Sequence, residues 1–231
     1  MRALAATGLL ALAILVVATT AGGRMDVVPV GTVVLLVDVS GSTRADDVEP
    51  TRLEASIRAM RAFVDRLPPK VEVGLVSFSS APTLLLRPNR DRAAVKHRLG
   101  LLQPEAGTAL GDGLAMAARV AAEGSPRSAG GFRPAVIVLE SDGAQNRGTL
   151  TPAQGAAKAR DAGIRVFGVS VGTPGGKVSF GFGLFVNTIP VPPDPATIRA
   201  VARRSGGESF VAQNAAQLED DYRQIASRLA G

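Results

Sequence analysis

Apolar and polar positions alternate along the chain in blocks that predict strands and helices in turn. Short apolar runs, most of them rich in β-branched residues and typical of buried strands, lie at 33–39, 71–78, 135–139, 164–171 and 208–212. Segments with helical spacing lie between the runs, and most of them follow a residue type that commonly caps helices: Thr51, Asp91, Thr151, Asp194 and Asn214. This alternation predicts a doubly wound α/β fold, a mainly parallel sheet with helices on both faces.

Two segments depart from this alternation. Residues 83–86 follow a predicted strand with no helix between them, which predicts a short antiparallel strand at the edge of the sheet. Residues 174–193 contain two short alternating runs bracketed by Gly and Pro, which predicts an inserted β-hairpin. Sheets of this class bind ligands beyond the carboxyl ends of their strands, so residues just after the strands are the first candidates for a site.

The amino-terminal segment differs from the rest of the chain in lacking charge. Residues 3–23 are uncharged and lie between Arg2 and Arg24. As a helix they would span about 31 Å, enough for a hydrocarbon core of about 30 Å. The most apolar part, Leu9–Val17, is short and also suits a cleaved signal peptide. A buried core helix fits less well, because the segment has no polar face.

We therefore predict three parts in the chain. Residues 1–23 form a transmembrane anchor or a signal peptide, residues 24–30 a linker, and residues 31–231 one folded domain. With the basic amino terminus held inside, the domain lies outside the cytoplasmic membrane. The expected location is the cell membrane with a single-pass anchor, and secretion is the alternative.

Composition excludes several kinds of chemistry. The chain has no Cys, so it forms no disulfide, thiolate metal site or cysteine nucleophile. The net charge of +6 suits nucleic acid or an anionic surface, but no five like charges run together and aromatic residues make up 4%. We predict no nucleic-acid partner and no small-molecule substrate. His97 lies between basic residues in a predicted helix and is expected at the surface.

The first predicted strand ends in an unusual sequence of oxygen-bearing side chains. The segment LLVDVSGSTR places Asp38, Ser40 and Ser42 at every second position. Where the chain curls past a strand end, alternate side chains can converge on one point. Hard oxygen ligands suit a hard divalent cation, Mg²⁺ first and Mn²⁺ or Ca²⁺ as alternatives. Thr108, in a glycine-flanked loop, and Asp142, after another strand, are candidates for further ligands.

These residues together resemble the metal-ion-dependent adhesion site of the von Willebrand factor type A family. The segments 157–176 and 198–225 are further similar to bacterial membrane-anchored proteins of the aerotolerance (Bat) type. The resemblance implies that Ser40, Ser42 and Thr108 bind the ion directly. It implies that Asp38 and Asp142 act mostly through bridging waters, and that an acidic residue of a protein partner completes the site.

One departure from the family pattern stands beside the predicted site. The family commonly has Thr-Asp-Gly in the third loop, whereas this chain has Ser141 before Asp142, preceded by an unusual Glu140. Glu140 could face either the interior of the sheet or the site. If the Glu140 carboxylate approached the ion, it would occupy the coordination position that is left for a partner.

The resemblance implies cation-dependent protein binding at the bacterial cell envelope, without catalysis. One alternative is a Mg²⁺-dependent phosphatase-like hydrolase that uses Asp38 as nucleophile, but Ser40 stands where that chemistry needs a second Asp. The other alternative is a structural envelope protein with a vestigial site. Taken singly, Asp38 and Asp142 are also plain turn residues, and Thr108 is also a plain helix cap.

Overall fold

The computed structural model describes residues 30–123, 125, 127, 133–182 and 185–230. The strands are β1 Thr32–Asp38, β2 Glu72–Phe78, β3 Pro82–Asn89, β4 Ala135–Ser141, β5 Arg165–Val171, β6 Lys177–Phe182, β7 Phe185–Pro190 and β8 Ser209–Ala212. The helices are α1 Arg52–Arg66, α2 Arg92–Leu99, α3 Leu110–Ala122, α4 Pro152–Asp161, α5 Pro195–Ser205 and α6 Ala215–Ala230. A 3-10 turn occupies Gly41–Arg44, directly after β1.

The main sheet has the strand order β3-β2-β1-β4-β5-β8. All neighbouring pairs are parallel except β2 and β3, so the predicted fold class and the antiparallel edge strand are confirmed. From β1 the chain winds outward to β2 and β3, and from β4 it winds the other way to β5 and β8. The order therefore reverses between β1 and β4, which is where sheets of this class form ligand clefts.

Two apolar cores cover the two faces of the sheet. Alternate residues of β1 belong to opposite cores, with Leu35 on one face and Leu36 on the other. The first core packs against α1, α2 and α6, and the second packs against α3, α4 and α5. This two-sided burial explains why the central strands are apolar at most positions.

Element boundaries agree with the predicted ones to within a few residues. The edge strand β3 extends to Asn89, well beyond the predicted 83–86, and contains Pro88, which an edge tolerates because one side of the strand needs no hydrogen-bond donor. Helix α2 ends at Leu99 with Gly100 as its C-cap. His97 is exposed on this helix, as expected.

The predicted insertion at 174–193 is a β-hairpin. Its strands, β6 and β7, pair antiparallel and form a separate two-stranded sheet. Strand β6 lies against the 3-10 turn that follows β1. The insertion is therefore placed at the same edge of the main sheet as the predicted site residues.

The predicted anchor at 1–23 lies outside the described residues, as does most of the predicted linker. Among the helices that the structure describes, none is long and apolar enough to cross a membrane. The division of the chain into anchor, linker and domain therefore stays a prediction.

Candidate metal centre

Four of the five predicted ligands line one cleft at the point where the strand order reverses. The cleft has a volume of about 370 Å³ and is lined by Ser40, Gly41, Ser42, Ala106, Gly107, Thr108, Asp142, Ala144, Asn146, Pro190, Val191 and Pro192. Asp38, the fifth predicted ligand, is completely buried at the end of β1. The structure thus brings together side chains from three loops that lie far apart in the sequence.

The conformation of the loop after β1 explains why Asp38, Ser40 and Ser42 stand at every second position. The amide of Ser40 donates to Oδ1 of Asp38 at 2.8 Å, which folds the chain back at the strand end. The Oγ atoms of Ser40 and Ser42 are 2.9 Å apart, because the 3-10 turn brings alternate side chains to the same side. The hydroxyl of Thr43 donates to the Ser40 carbonyl at 2.7 Å and closes the turn.

Asp38 is fixed from the neighbouring strand by Ser141. The Ser141 hydroxyl donates to Oδ2 of Asp38 at 2.5 Å and accepts the amide of Gly143 at 3.0 Å. Burial, and secondly the charge of Asp142, raises the pKa of Asp38 from 3.8 to about 7. A carboxylate held in this way gains stability from a nearby cation. The Ser that departs from the family pattern thus orients a predicted ligand.

Asp142 lies at the start of the loop after β4, next to a buried arginine. Its Oδ1 accepts the amide of Ala144 at 3.4 Å, and its Oδ2 lies 3.3 Å from Nη1 of Arg52. Burial raises the pKa of Asp142, although contacts with Ser42 and Arg52 favour the charged form. Arg52 begins α1, is 1% exposed, and was not identified from the sequence.

Thr108 enters the cleft from the loop before α3. Its amide donates to Oδ1 of Asn146 at 3.0 Å, and its carbonyl accepts the amides of Asn146 and Arg147, both at 3.1 Å. Ala109, not Thr108, occupies the N-cap position of α3 and provides no side-chain cap. Thr108 lines the cleft.

The loop after β4 is held to α3 by two polar side chains. Asp112 accepts the amides of Thr149 and Leu150 at 2.8 and 2.9 Å. Gln145 accepts the amide of Gly111 at 2.8 Å and donates to the Leu150 carbonyl at 2.9 Å. Both residues position the loop, and neither lines the cleft.

Glu140 lies in the apolar core and does not line the cleft. Val136, Val138 and Glu140 stand at every second position of β4, so all three side chains lie on the sheet face covered by α1 and α6. Glu140 is 2% exposed. Its Oε2 has no hydrogen-bond partner among the described residues. Burial, followed by the charge of Asp38, raises the pKa of Glu140 well above its usual value.

Comparisons with known proteins identify the family. Residues 33–145 match the family model described as von Willebrand factor type A domain. A UPF0353 protein of Mycolicibacterium paratuberculosis is 38% identical over 229 residues, which cover 94% of this chain and 66% of the relative. A UPF0353 protein of Mycobacterium sp. (strain KMS) is 34% identical over 99% of this chain and 70% of the relative. The chain belongs to the UPF0353 family and carries a von Willebrand factor type A domain.

Solved structures share the fold of this type A domain. BatB from Bacteroides thetaiotaomicron has a TM-score of 0.71 at 23% identity, over 87% of this chain and 99% of that one. An aerotolerance-related membrane protein from Bacteroides fragilis has a TM-score of 0.66 at 24% identity, over 84% and 98%. Proximal thread matrix protein 1 from the mussel byssus, with a zinc-occupied MIDAS motif, has a TM-score of 0.62 at 21% identity, over 86% and 45%. The chain spans 66% or less of the length of several curated relatives.

The donor set of the type A domain fits a divalent ion that keeps some of its waters. The cleft and its floor offer two carboxylates, Asp38 and Asp142, with three hydroxyls from Ser40, Ser42 and Thr108. Within the described part of the chain, no three His, Asp or Glu side chains are grouped closely enough to hold an ion. Such a donor set suits a hard, partly hydrated cation better than Zn²⁺ in a closed site of nitrogen and sulfur ligands.

Proposed function

We propose that this type A domain is a divalent-cation-dependent protein-binding module. The observation that carries the proposal is the convergence of Ser40, Ser42, Thr108 and Asp142 on one cleft above the buried Asp38. The partner would contribute a carboxylate to the ion. Exposed residues at the rim, Ala144 and Asn146 among them, leave the cleft accessible from solvent.

Each predicted ligand has a separate role in this proposal. Ser40, Ser42 and Thr108 would bind the ion directly, whereas Asp38 and Asp142 would orient its waters and balance its charge. Mg²⁺ is the first candidate, with Mn²⁺ and Ca²⁺ as alternatives. When bound, the ion supplies Lewis-acid attraction for a carboxylate. The zinc-occupied MIDAS of a protein with this fold supports a divalent ion at such a motif.

The surroundings of the cleft favour an acidic partner. Arg44 and Arg147 follow Ser42 and Asp142 in their loops, and both are exposed. The guanidinium of Arg44 donates to the Pro104 carbonyl at 2.9 Å, and that of Arg147 donates to the Asn146 carbonyl at 3.2 Å. Guanidinium groups held beside a cation site can pair with acidic groups around the partner's carboxylate.

The geometry around Asp38 argues against a phosphatase-like reaction. Asp38 is 0% exposed, and its two oxygens accept hydrogen bonds from Ser40 and Ser141. A nucleophilic carboxylate must contact its substrate, whereas Asp38 has no exposed surface in the described structure. Turnover of para-nitrophenyl phosphate by the purified chain would contradict this reasoning.

We also propose that the domain is held at the outer face of the bacterial membrane by the segment 3–23. The absence of charge from this segment supports an anchor. A protein with the same fold is described as an aerotolerance-related membrane protein.

Capture of partners from solubilised membranes tests the binding function. The immobilised chain should retain its partner in Mg²⁺ and release it on addition of a chelator. Thr108→Val, which removes one hydroxyl from the cleft, should abolish both capture and Mg²⁺ binding in titration calorimetry. Thr149→Val is the matched control, because Thr149 is exposed and its hydroxyl lies outside the cleft lining. Capture that is indifferent to chelator would refute the proposal, and absent cation binding would favour a vestigial site.

A further inference from the structure

We infer that Arg52 is a positioning residue that couples cation binding to the position of the inserted hairpin. The inference rests on the proposed cation site. The relevant part of the insertion is the hairpin stem, defined as residues 172–176, which join β5 to β6, and residues 191–194, which join β7 to α5. Arg52 contacts both a predicted ligand and this stem.

The guanidinium of Arg52 is shared among three groups. Its Nε and Nη2 donate to the two carboxylate oxygens of Asp47 at 2.7 and 2.8 Å. Nη1 donates to Oδ2 of Asp142 at 3.3 Å, and Nη2 also donates to the carbonyl of Val191 at 3.0 Å. The planar fork of Arg makes all these bonds at once, which the point charge of Lys cannot do.

The first half of the stem is held around the same guanidinium. Asp47 accepts the amide and the hydroxyl of Thr173 at 2.7 and 3.0 Å. A Cβ on Gly172 would lie 2.5 Å from Cζ of Arg52, and a Cβ on Gly176 would lie 2.0 Å from Nη2. Two stem glycines therefore leave the space that the arginine fills.

The second half of the stem contacts the loop of the predicted ligand. The amide of Asp194 donates to the carbonyl of Asp142 at 2.5 Å. Gly143 has a φ of 86°, and a Cβ there would lie 2.5 Å from the carbonyl oxygen of Asp194. Pro190, Val191 and Pro192 form one wall of the cleft. A shift of Asp142 would therefore displace the stem, and a shift of the stem would reshape the cleft.

The charges make this contact sensitive to an ion. Burial disfavours the charged form of Asp47, but hydrogen bonds from Arg52 and Thr173 outweigh it and hold the pKa of Asp47 below its usual value. One guanidinium thus faces two carboxylates, one of which is a predicted ligand. A divalent ion bound beside Asp142 would fix that carboxylate in place, and with it the contact that Arg52 makes between Asp142 and the stem. The arginine would then hold the stem more firmly in the loaded protein.

Hydrogen exchange on the full chain in detergent, with Mg²⁺ as the probe, tests the coupling. In the parent chain, saturating Mg²⁺ should slow amide exchange in peptides that cover the stem by at least threefold. Arg52→Lys keeps the charge but loses the fork, so Mg²⁺ affinity should fall about tenfold, as expected for a residue that orients a ligand. The Mg²⁺-dependent protection of the stem should be lost in this variant. Arg58→Lys, an exposed position on the same helix, is the matched control and should behave like the parent.

A second variant covers the case in which Arg52→Lys does not fold. Gly176→Ala keeps Arg52 and its charge but places a methyl group where Nη2 now lies, so the guanidinium must move away from the stem. It should also lose the Mg²⁺-dependent protection, with its fold checked by circular dichroism. Cation binding by the parent without any change in stem exchange would overturn the coupling alone, as would protection retained in both variants. Absence of cation binding by the parent would overturn the proposed function and the coupling together.

Discussion

Replacing Asp38 with Asn should raise the free energy of unfolding in the absence of a divalent ion. It should also abolish the stabilisation that the ion provides. Burial and the charge of Asp142 raise the pKa of Asp38 from 3.8 to about 7. The folded chain therefore binds a proton between about pH 4 and pH 7 that the unfolded chain releases. The free energy of unfolding falls as the pH rises through this window, and the loss is complete above about pH 7.

The magnitude follows from two opposing effects. The raised pKa of Asp38 corresponds to about 4 kcal/mol of destabilisation when the carboxyl is charged. Asn avoids this cost because it does not ionise. However, its amide group cannot accept the hydrogen bonds of Ser40 and Ser141 together, and the lost bond costs about 1 to 2 kcal/mol. We expect Asp38→Asn to be about 2 kcal/mol more stable than the parent at pH 8 in chelator, and no more stable at pH 4.

Denaturant unfolding followed by circular dichroism measures this difference, since the chain has no Trp and one Tyr for fluorescence. Mg²⁺ at about 100 times its dissociation constant should add about 2.7 kcal/mol to the parent and much less to Asp38→Asn, so the order of stability reverses. Asp65→Asn, an exposed position paired with Lys96, is the control and should change stability by less than about 0.5 kcal/mol. A variant that is less stable than the parent at pH 8 in chelator, or that gains as much from Mg²⁺, would refute the reasoning.

Three further predictions concern the rim, the last helix and the amino terminus. Arg44→Glu combined with Arg147→Glu should weaken partner capture and reduce its salt dependence, while Mg²⁺ affinity stays nearly unchanged. Undiminished capture would mean that the partner contacts another surface, and the hairpin would be the next candidate. Burial, then the charge of a neighbouring Asp, raises the pKa of Asp221 to about 6. The free energy of unfolding therefore falls as the pH rises from about 4 to about 6. After allowance for solvent screening, Asp221→Asn should be about 1 kcal/mol more stable than the parent at pH 8 and no more stable at pH 4. Denaturant unfolding measures the difference, with the exposed Glu219→Gln as control. Removal of residues 1–23 should release the domain from membranes on fractionation, whereas a native chain found free in the medium would indicate a cleaved signal.

The sequence was sufficient for the fold because its signals are local. The run 33–39 is apolar at every position except Asp38 because both faces of the sheet are covered, and each capping residue acts within its own helix turn. The predicted ligands were also accessible to sequence reasoning, since Asp38, Ser40 and Ser42 form a pattern within five residues and Asp142 directly follows a strand. The structure brings Thr108 to the same cleft.

The positioning residues could not be predicted, because their roles depend on contacts between distant segments. Arg52 occupies an ordinary first position of a helix, and its importance comes from Asp142 and Val191, which lie 90 and 139 residues away in the chain. Gln145 follows Asp142 by three residues, yet its amide group bonds to the backbone of α3 and of its own loop, a role that the sequence does not indicate. Glu140 could be assigned to the core only once its place in the strand was known.

The position of the chain ends indicates how an anchored domain would present its cleft. Strand β1 begins at Thr32, at the amino edge of the sheet, and the cleft lies beyond its other end, about 23 Å away for a seven-residue strand. Glu208, just before β8, pairs with Arg228 near the end of α6, so this helix also returns to the amino edge. A linker of residues 24–30 spans at most about 25 Å, too short to pass along the domain and over its rim. An anchor at 3–23 would therefore hold the cleft and the hairpin away from the bilayer, on the side from which another protein could offer the carboxylate that we propose.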